Sequence, residues 1–272
     1  MKLNGKIILK GIGLHSGSEC EVKIEPCDSE MIMLNDVPIA NLNLNGTNRG
    51  SDYIFPDGER IRTCEHVLSC LYGMGIYSGV RVSVTGGEMP ALDGCSRMLC
   101  DEIMNHSDMN DDDPHDAFRI TEPLIVYSED KTRFVAVFPC DEFRITYTVE
   151  YKYIGAQVFD FTLTPEKYYH EIASARTFAM LSDIEYLRAH GMALGGSLDN
   201  AIAISENGIQ ASGGLHWPDE FVRHKVLDLI GDMAATGRKL KAHIIAMKAG
   251  HEMHLKLSER IREEIRAKMR GE

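Results

Sequence analysis

The stretch DEFVRHKVLDLIGDMAAT, Asp219 to Thr236, constrains the fold more than any other part of the chain. Apolar residues recur at Val222, Val226, Leu229 and Met233, a spacing that predicts an α-helix. Pro218, Asp219 and Glu220 suit its start, and Gly237 with Arg238 suits its end. On the same helix His224, Asp228 and Asp232 follow at intervals of four, a polar stripe roughly opposite the apolar one, with Lys225 beside it. Three ionisable groups in register would be costly in a dry core without partners. The stripe is therefore expected to look into a cleft, where His224 and Asp228 share a metal ion and Asp232 holds something else. The spacing alone is a weak signal, because His15/Glu19 and His216/Glu220 repeat it. The first lies in the turn GIGLHSG, and Pro218 inside the second argues against one continuous helix.

At 272 residues the chain can bury a substantial core as one or two domains. A net charge of −12 disfavours nucleic acid and anionic membrane as partners, so an anionic ligand needs a local basic pocket. Seven cysteines without a CxxC suggest neither a disulfide framework nor a zinc ribbon, and fit a reducing cytoplasm. No signal-peptide core opens the chain and no apolar run approaches ~18 residues. The expectation is a soluble cytoplasmic protein with no membrane span.

Residues 1–62 read as β-rich, with short runs in KIILKGIGL, ECEVKIEP and MIMLND, and turn chemistry throughout Asn45 to Asp52. TCEHVLSCLYGMG predicts a short helix with Val67, Leu68 and Leu71 apolar and Gly73 and Gly75 as stops. GVRVSVTGG alternates as a strand, and MPALDGCSRMLCDEIMNH reads as a turn and a second helix. The acid run NDDDPHD, Asn110 to Asp116, suits a linker and divides the chain into domains 1–112 and 117–272. Strands return in AFRITEPLIVYSED, TRFVAVFPC, FRITYTVEY and FDFTLT. TPEKYYHEIASARTFAM predicts a helix capped by Thr164 with Pro165 in its first position. Leu181 to Ile209 predicts a helical piece, a turn at Gly195 and Gly196, and the strand AIAIS. A strand around His243 to Met247 and a closing helix, LSERIREEIRAKM, complete the chain, with Ile261, Ile265 and Met269 facing a core. The reading is α+β, two domains of similar plan. Strands do not alternate strictly with helices, which argues against a doubly wound fold.

A metal site draws on more than one segment, and Glu65-His66 supplies another histidine beside an acid. Neighbours on a helix point about 100° apart, so one can ligate while the other reaches a bound water. His66, His224 and Asp228 then give two histidines and one aspartate with an open position, the pattern of catalytic zinc. Such an ion lowers the pKa of water to around 7 and polarises a carbonyl, and Glu65 can take the proton. A satisfied helix histidine and a His66/Cys70 pair are the competing readings of His66. His251, in KAGHEMH, follows a Gly at a strand end, a loop position suited to catalysis or to plain exposure. In the catalytic case Asp232 fixes its tautomer and makes it a general acid for a leaving amine. Thr177 in SARTF can hydrogen-bond an oxyanion, and Lys225 and Lys248 can contact an anion. An ordinary helix threonine and solvated lysines are the bland alternatives.

EFVRHKVLDLIGDMAATG, TCEHVLSCLYGMG, GIGLHSG, MPALDG, SARTF, LGGSLDNAI and KAGH together resemble the UDP-3-O-acyl-N-acetylglucosamine deacetylases of lipid A synthesis, across residues 11 to 255. The resemblance implies two similar domains, each a β-sheet with helices on one face, their helix layers packed together between the sheets. It implies Zn2+, with Fe2+ as the alternative ion, on His66, His224 and Asp228. Glu65 matches the general base, His251 the general acid with Asp232 behind it, and Thr177 the oxyanion donor. Lys225 and Lys248 match substrate-contacting lysines, Phe178 the wall of an acyl passage carried by an insert at about 179–209. Leu14 and His15 of GIGLHSG and Gly196 of LGGSLDNAI complete the expected substrate contacts. The implied reaction removes the N-acetyl group of an acylated UDP-sugar, in the cytoplasm, by a monomer without nucleic-acid partners. Departures from the family are a short stretch between Cys27 and Thr63, EYKYIGAQ in place of a His-Pro run, and KAGHEMH without the usual Asn. Two other classes compete: a zinc amidohydrolase of another N-acetylated sugar, and a non-catalytic sugar-nucleotide binder, against which Glu65 and His251 argue.

Overall fold

Two sheets with one shared strand order organise the chain, in a computed structural model that describes residues 1–47, 49–108 and 117–271. In the first sheet Ile7–Ile12 is followed across by Glu19–Pro26, Val80–Thr85, Met33–Leu34 and Val37–Pro38. In the second, Leu124–Tyr127 is followed by Phe134–Pro139, Leu240–Met247, Phe143–Tyr151 and Gly155–Thr162. Each time the last strand in sequence is inserted in the middle, antiparallel to the second strand and parallel to the third. It arrives from a helix, Glu65–Gly73 or Glu220–Ala234, and leads into another, Arg97–Asn105 or His251–Arg270. Phe118–Arg119 adds a short parallel pairing at the start of Leu240–Met247. The expected α+β architecture of two similar halves is the observed one. The expected linker, Asn110 to Asp116, lies outside the described residues.

Alternation explains why each sheet buries one face. Glu19–Pro26 turns Cys20, Val22 and Ile24 inward, and Leu240–Met247 does the same with Leu240, Ala242, Ile244 and Ala246. The helices fill the space between. Glu220–Ala234 is buried on every side, with only Arg223 and Lys225 partly open. A helix enclosed all round belongs at the centre of a core. Its polar stripe faces a recess, as expected, for His224 and Asp228 line a cavity, while Asp232 is enclosed among other side chains.

The central helix meets Glu65–Gly73 backbone to backbone. A Cβ on Gly231 would stand 2.0 Å from the Glu65 carbonyl oxygen, and Ser69 Oγ donates to the Leu227 carbonyl at 2.7 Å. A second close approach seats the strand Asn43–Thr47 on the start of the last helix, where a Cβ on Gly46 would lie 2.5 Å from Glu252 Cα.

Several local expectations need correction. Asn45 to Asp52 is not all turn: it belongs to the antiparallel strands Asn43–Thr47 and Gly50–Ile54, with Arg60–Ile61 as a third. Thr164 Oγ1 does cap Lys167 N at 3.2 Å, but the α-helix ends at Lys167 and widens into a π-turn over Tyr168–Ile172. Phe178–Met180 is a strand that pairs with Ile202–Ser205, and Gly208–Gln210 completes that small sheet. The closing helix begins at His251, not near Leu257, because the extended Gly250 starts it and Met253, Leu255 and Leu257 prolong the buried stripe. Met269 is 67 % exposed, one turn beyond the last buried residue of that helix, Ile265.

Gly231→Ala tests the close crossing. Backbone on both sides blocks the added methyl, so destabilisation of about 1–3 kcal/mol is expected, read as a lower Tm. An unchanged melting curve would show that the helices can separate freely.

Candidate active site

The crossing brings His66 from one helix against His224 and Asp228 from the other. Asp228 Oδ1 lies 3.3 Å from His224 Nε2 and 3.7 Å from His66 Nε2, and the two rings meet edge to face at 5.1 Å. His224 Nδ1 donates to the Ala175 carbonyl at 3.0 Å, which leaves the Nε2 lone pair facing the carboxylate. Asp228 Oδ1 is buried and has no hydrogen-bond partner among the described residues. A carboxylate oxygen and imidazole lone pairs turned toward one point are mutually unfavourable unless a cation lies between them. One ligand atom from each of the three residues falls within 4.8 Å of the others, and the donor set suits a divalent ion such as zinc.

Charge and burial around this point keep His224 and Asp228 free of protons. Burial, then the neighbouring His66 and Lys225 charges, outweighs Asp228 and pulls the His224 pKa down to about 3. Burial alone would raise Asp228, but His224, Lys225 and His251 hold its carboxyl well below the usual range. Lys225 Nζ donates to Asp228 Oδ2 at 2.7 Å, and the carboxylate raises the buried amine against its desolvation.

Glu65 and His251 flank the same point. Ser51 holds Glu65 Oε2 twice, from its backbone N–H at 2.9 Å and its hydroxyl at 2.8 Å. His251 Nδ1 donates to Asp232 Oδ2 at 2.8 Å, and its Nε2 stands 3.5 Å from Asp228 Oδ2. Burial lowers the His251 pKa, but Asp232, then Asp228 and Glu65, carry it up to about 9. His251 is the first residue of the last helix and is buried, so neither a loop position nor plain exposure describes it. Asp232 accepts a second imidazole, that of His254, also at 2.8 Å.

A cavity of about 250 Å³ opens onto this group. Glu65, His66, His224, Lys225, Asp228 and His251 line it together with Leu14, His15, Thr177, Phe178 and Gly196. Leu181, Ile184, Leu187, Ala193, Leu198 and Ala201 add an apolar wall from the segment expected to form a passage. Other apolar residues of that segment do not line it: Ile202 and Ile204 pack on Phe221 in a small core, and Leu194 is 52 % exposed. Asp232 sits behind His251 rather than in the wall. Lys248 is not brought to the cavity, and its ammonium pairs with Glu150. Cys70 faces Cys100, with 3.0 Å between sulfurs, and plays no part at the centre.

Supporting groups escaped the sequence reading. Glu88 is fully buried and accepts from the backbone N–H groups of His15 and Ser16 at 2.8 and 2.9 Å, clamping the turn that carries Leu14 and His15. Arg176 is buried beside Thr177 and donates through Nε to Glu220 Oε1 at 2.9 Å and through Nη1 to the Ser212 carbonyl at 2.9 Å. His216 N also donates to Glu220, at 2.7 Å, so the His216/Glu220 spacing does make a contact, across a bend rather than along a helix. Ser51 and Arg49 lie in a stretch that reads as turn, and nothing in the sequence marks either one. His254 was not marked either, because the stretch KAGHEMH reads as a loop although its last four residues are helical.

Two histidines and an aspartate fit to hold an ion, flanked by a carboxylate and a histidine-aspartate pair above an apolar cavity, define the constellation of a metal-assisted hydrolase. The family model described as LpxC: UDP-3-O-acyl N-acetylglycosamine deacetylase matches residues 1–263. A UDP-3-O-acyl-N-acetylglucosamine deacetylase of Chlamydia trachomatis is 34 % identical over 272 residues, covering 96 % of this chain and 94 % of that protein. Proteins of the same description from Oleidesulfovibrio alaskensis and Sulfurimonas denitrificans are each 35 % identical, over 90 % and 92 % of this chain and 82 % and 87 % of their own lengths. The chain belongs to the UDP-3-O-acyl N-acetylglycosamine deacetylase family.

The Arg176–Glu220 pair makes stability near the site depend on pH. Burial raises the Glu220 pKa, but Arg176 and the backbone N–H groups of His216 and Arg176 outweigh it and hold the carboxyl below its usual value. A depressed folded pKa gives stability that is fully present above the unfolded value of about 4.3 and is lost as pH falls through the folded value. Glu220→Gln should therefore flatten the acid limb of the stability curve below about pH 4. Arg176→Met, which strands the carboxylate, should cost about 3–5 kcal/mol at pH 7. Parallel acid limbs for parent and Glu220→Gln in denaturant titrations would contradict the assignment.

Proposed function

We propose that the protein hydrolyses the N-acetyl group of UDP-3-O-(3-hydroxyacyl)-N-acetylglucosamine, releasing acetate and a free amine in the committed step of lipid A biosynthesis. The observation that carries this reading is the orphaned, buried Asp228 Oδ1 between two imidazoles at the wall of an apolar cavity. The family membership names the reaction class, and the cavity supplies room for an acyl chain. His66, His224 and Asp228 hold the ion, Zn2+ or Fe2+, which when bound polarises the acetyl carbonyl and acidifies water at the site.

The protein's own groups do the rest. Ser51 occupies Glu65 Oε2, so Oε1 is left to take the proton of the attacking water. Thr177, in the cavity wall, donates its hydroxyl to the developing oxyanion. His251 keeps Nδ1–H on Asp232, which directs Nε2 at the leaving nitrogen as the proton donor. Lys225 stays charged beside Asp228 and adds positive potential where negative charge develops. Leu14, His15, Phe178 and Gly196 contact the substrate from the cavity wall. Arg49 and Arg188 line the cavity and are the cations a diphosphate would meet, Arg49 in exchange for its ion pair with Asp183. The domains run 1–112 and 117–272, with the acyl-passage insert at about 179–209. No helix of the described residues is long and apolar enough to cross a membrane, and the protein acts in the cytoplasm as a monomer.

Three measurements test the reading. Ala at His66, His224 or Asp228 should remove metal and deacetylation together, and full metal occupancy in His224→Ala would sink the ligand assignment. Glu65→Gln and His251→Ala should keep the metal and lose roughly 10²-fold or more in kcat. Trimming the 3-O-acyl group to acetyl should lower kcat/KM by orders of magnitude, since each buried methylene contributes about 0.8 kcal/mol. Equal turnover of long and trimmed substrates would mean the apolar wall is not used.

A further inference from the structure

Asp232 holds two imidazoles, and the proposed reaction uses one of them. His254 is fully buried and does not line the cavity, so it cannot reach substrate. Its Nδ1 nonetheless meets Asp232 Oδ2 at 2.8 Å, the same oxygen and the same distance as His251 Nδ1. Its Nε2 lies 3.0 Å from the Tyr147 hydroxyl, which also reaches the Ala249 carbonyl at 2.8 Å. Tyr147 comes from the strand Phe143–Tyr151, and Ala249 stands two residues before His251. The four groups therefore tie the central helix, the last helix and the sheet to one another at the back of His251.

The carboxylate needs such a tie. Asp232 Oδ1 has no hydrogen-bond partner among the described residues, and both imidazole hydrogen bonds to this group fall on Oδ2. One donor on one oxygen leaves a carboxylate free to swing about that contact, whereas two donors from different directions fix its plane. Small errors of aim matter here, because a misplacement of about 1 Å can lower rate ~10²-fold.

We infer that His254 is a positioning residue for the deacetylation. As the second donor on Asp232 Oδ2 it fixes the carboxylate that aims His251 Nε2 into the cavity. The inference rests on His251 acting as the proton donor proposed above. The rival account makes His254 a space-filling core residue anchored to Tyr147.

Two near-isosteric replacements separate these accounts. The amide of Asn can place a donor where His254 Nδ1 stands, and that of Gln can place one where Nε2 stands. Positioning through Asp232 predicts that His254→Asn keeps kcat within about threefold of the parent. His254→Gln should lower kcat about tenfold, with KM and metal content unchanged. Space filling predicts the reverse order, because Asn leaves the larger void and loses Tyr147. If the glutamine variant does not fold, His254→Phe fills the site without a donor and should show the same tenfold loss. In an Asp232→Ala background the second substitution should cost nothing further in kcat, since the path through Asp232 is already gone. Equal kcat values for His254→Asn and His254→Gln, or additive losses in the cycle, overturn the positioning role while leaving the proposed reaction intact. Parental kcat in His251→Ala would instead remove the proton-donor reading, and the positioning role with it.

Discussion

Everything at the centre of this molecule depends on two helices touching without side chains between them. Gly231 faces the Glu65 carbonyl at a distance where no Cβ fits. Side-chain packing ordinarily holds helix axes about 8–10 Å apart. Removing one Cβ lets these axes approach, and it happens between Asp228 and Asp232 on one helix and opposite Glu65 and His66 on the other. The groups on either side of the contact are thus brought within a single ion's reach. The same contact explains why Asp228 and Asp232 can be buried at all, because each finds partners on another element within a hydrogen-bond length or little more.

The strand order places that contact. The helices that precede the two inserted central strands, Glu65–Gly73 and Glu220–Ala234, face each other, and the second also packs on Phe143–Tyr151 and Gly155–Thr162 of its own sheet. A point between two copies of one plan is open to residues from both, and each copy also carries a three-stranded insert near it. The first insert supplies Ser51 to Glu65 and Arg49 to the cavity wall, and the second supplies Phe178 and the apolar side. The halves share a backbone plan and contribute different chemistry: a glutamate and a histidine from one, two histidines and two aspartates from the other.

Much of this was legible in the sequence, and the reasons are local. The Glu220–Ala234 helix announces itself by period, and the strands Glu19–Pro26 and Leu240–Met247 by alternation, because each obeys one repeat over its whole length. The polar stripe was legible as a row facing a cleft, because three ionisable groups in register need partners or solvent. Only the tertiary neighbours reveal that Asp232, at the end of the row, is enclosed behind the cavity. The start of the last helix was missed because its first turn, HEMH, carries no apolar period of its own, while Gly250 simply looks like a loop. Asp232 was legible as a partner for His251, but its second partner was not, since KAGHEMH offers no reason to prefer His254 over solvent. The buried Arg176 and Glu220 lie 44 residues apart in sequence, and no single-sequence pattern joins them.

The distribution of charge follows from the same enclosure. The chain carries a net −12, yet its cavity wall presents Arg49, Arg188 and Lys225 beside a carboxylate pair. An acidic exterior has little attraction for polyanions, and a basic recess admits a small one that also has an apolar tail to bury. Selection between ligands then rests on shape as much as on charge. A nucleic acid offers phosphate without a narrow apolar segment, and a fatty acid offers the segment without the second anionic group. Arg49 is already paired with Asp183 and Lys225 with Asp228, so an entering anion competes with carboxylates for those two cations, whereas the apolar wall of Leu181, Ile184 and Leu187 is open to any narrow hydrocarbon.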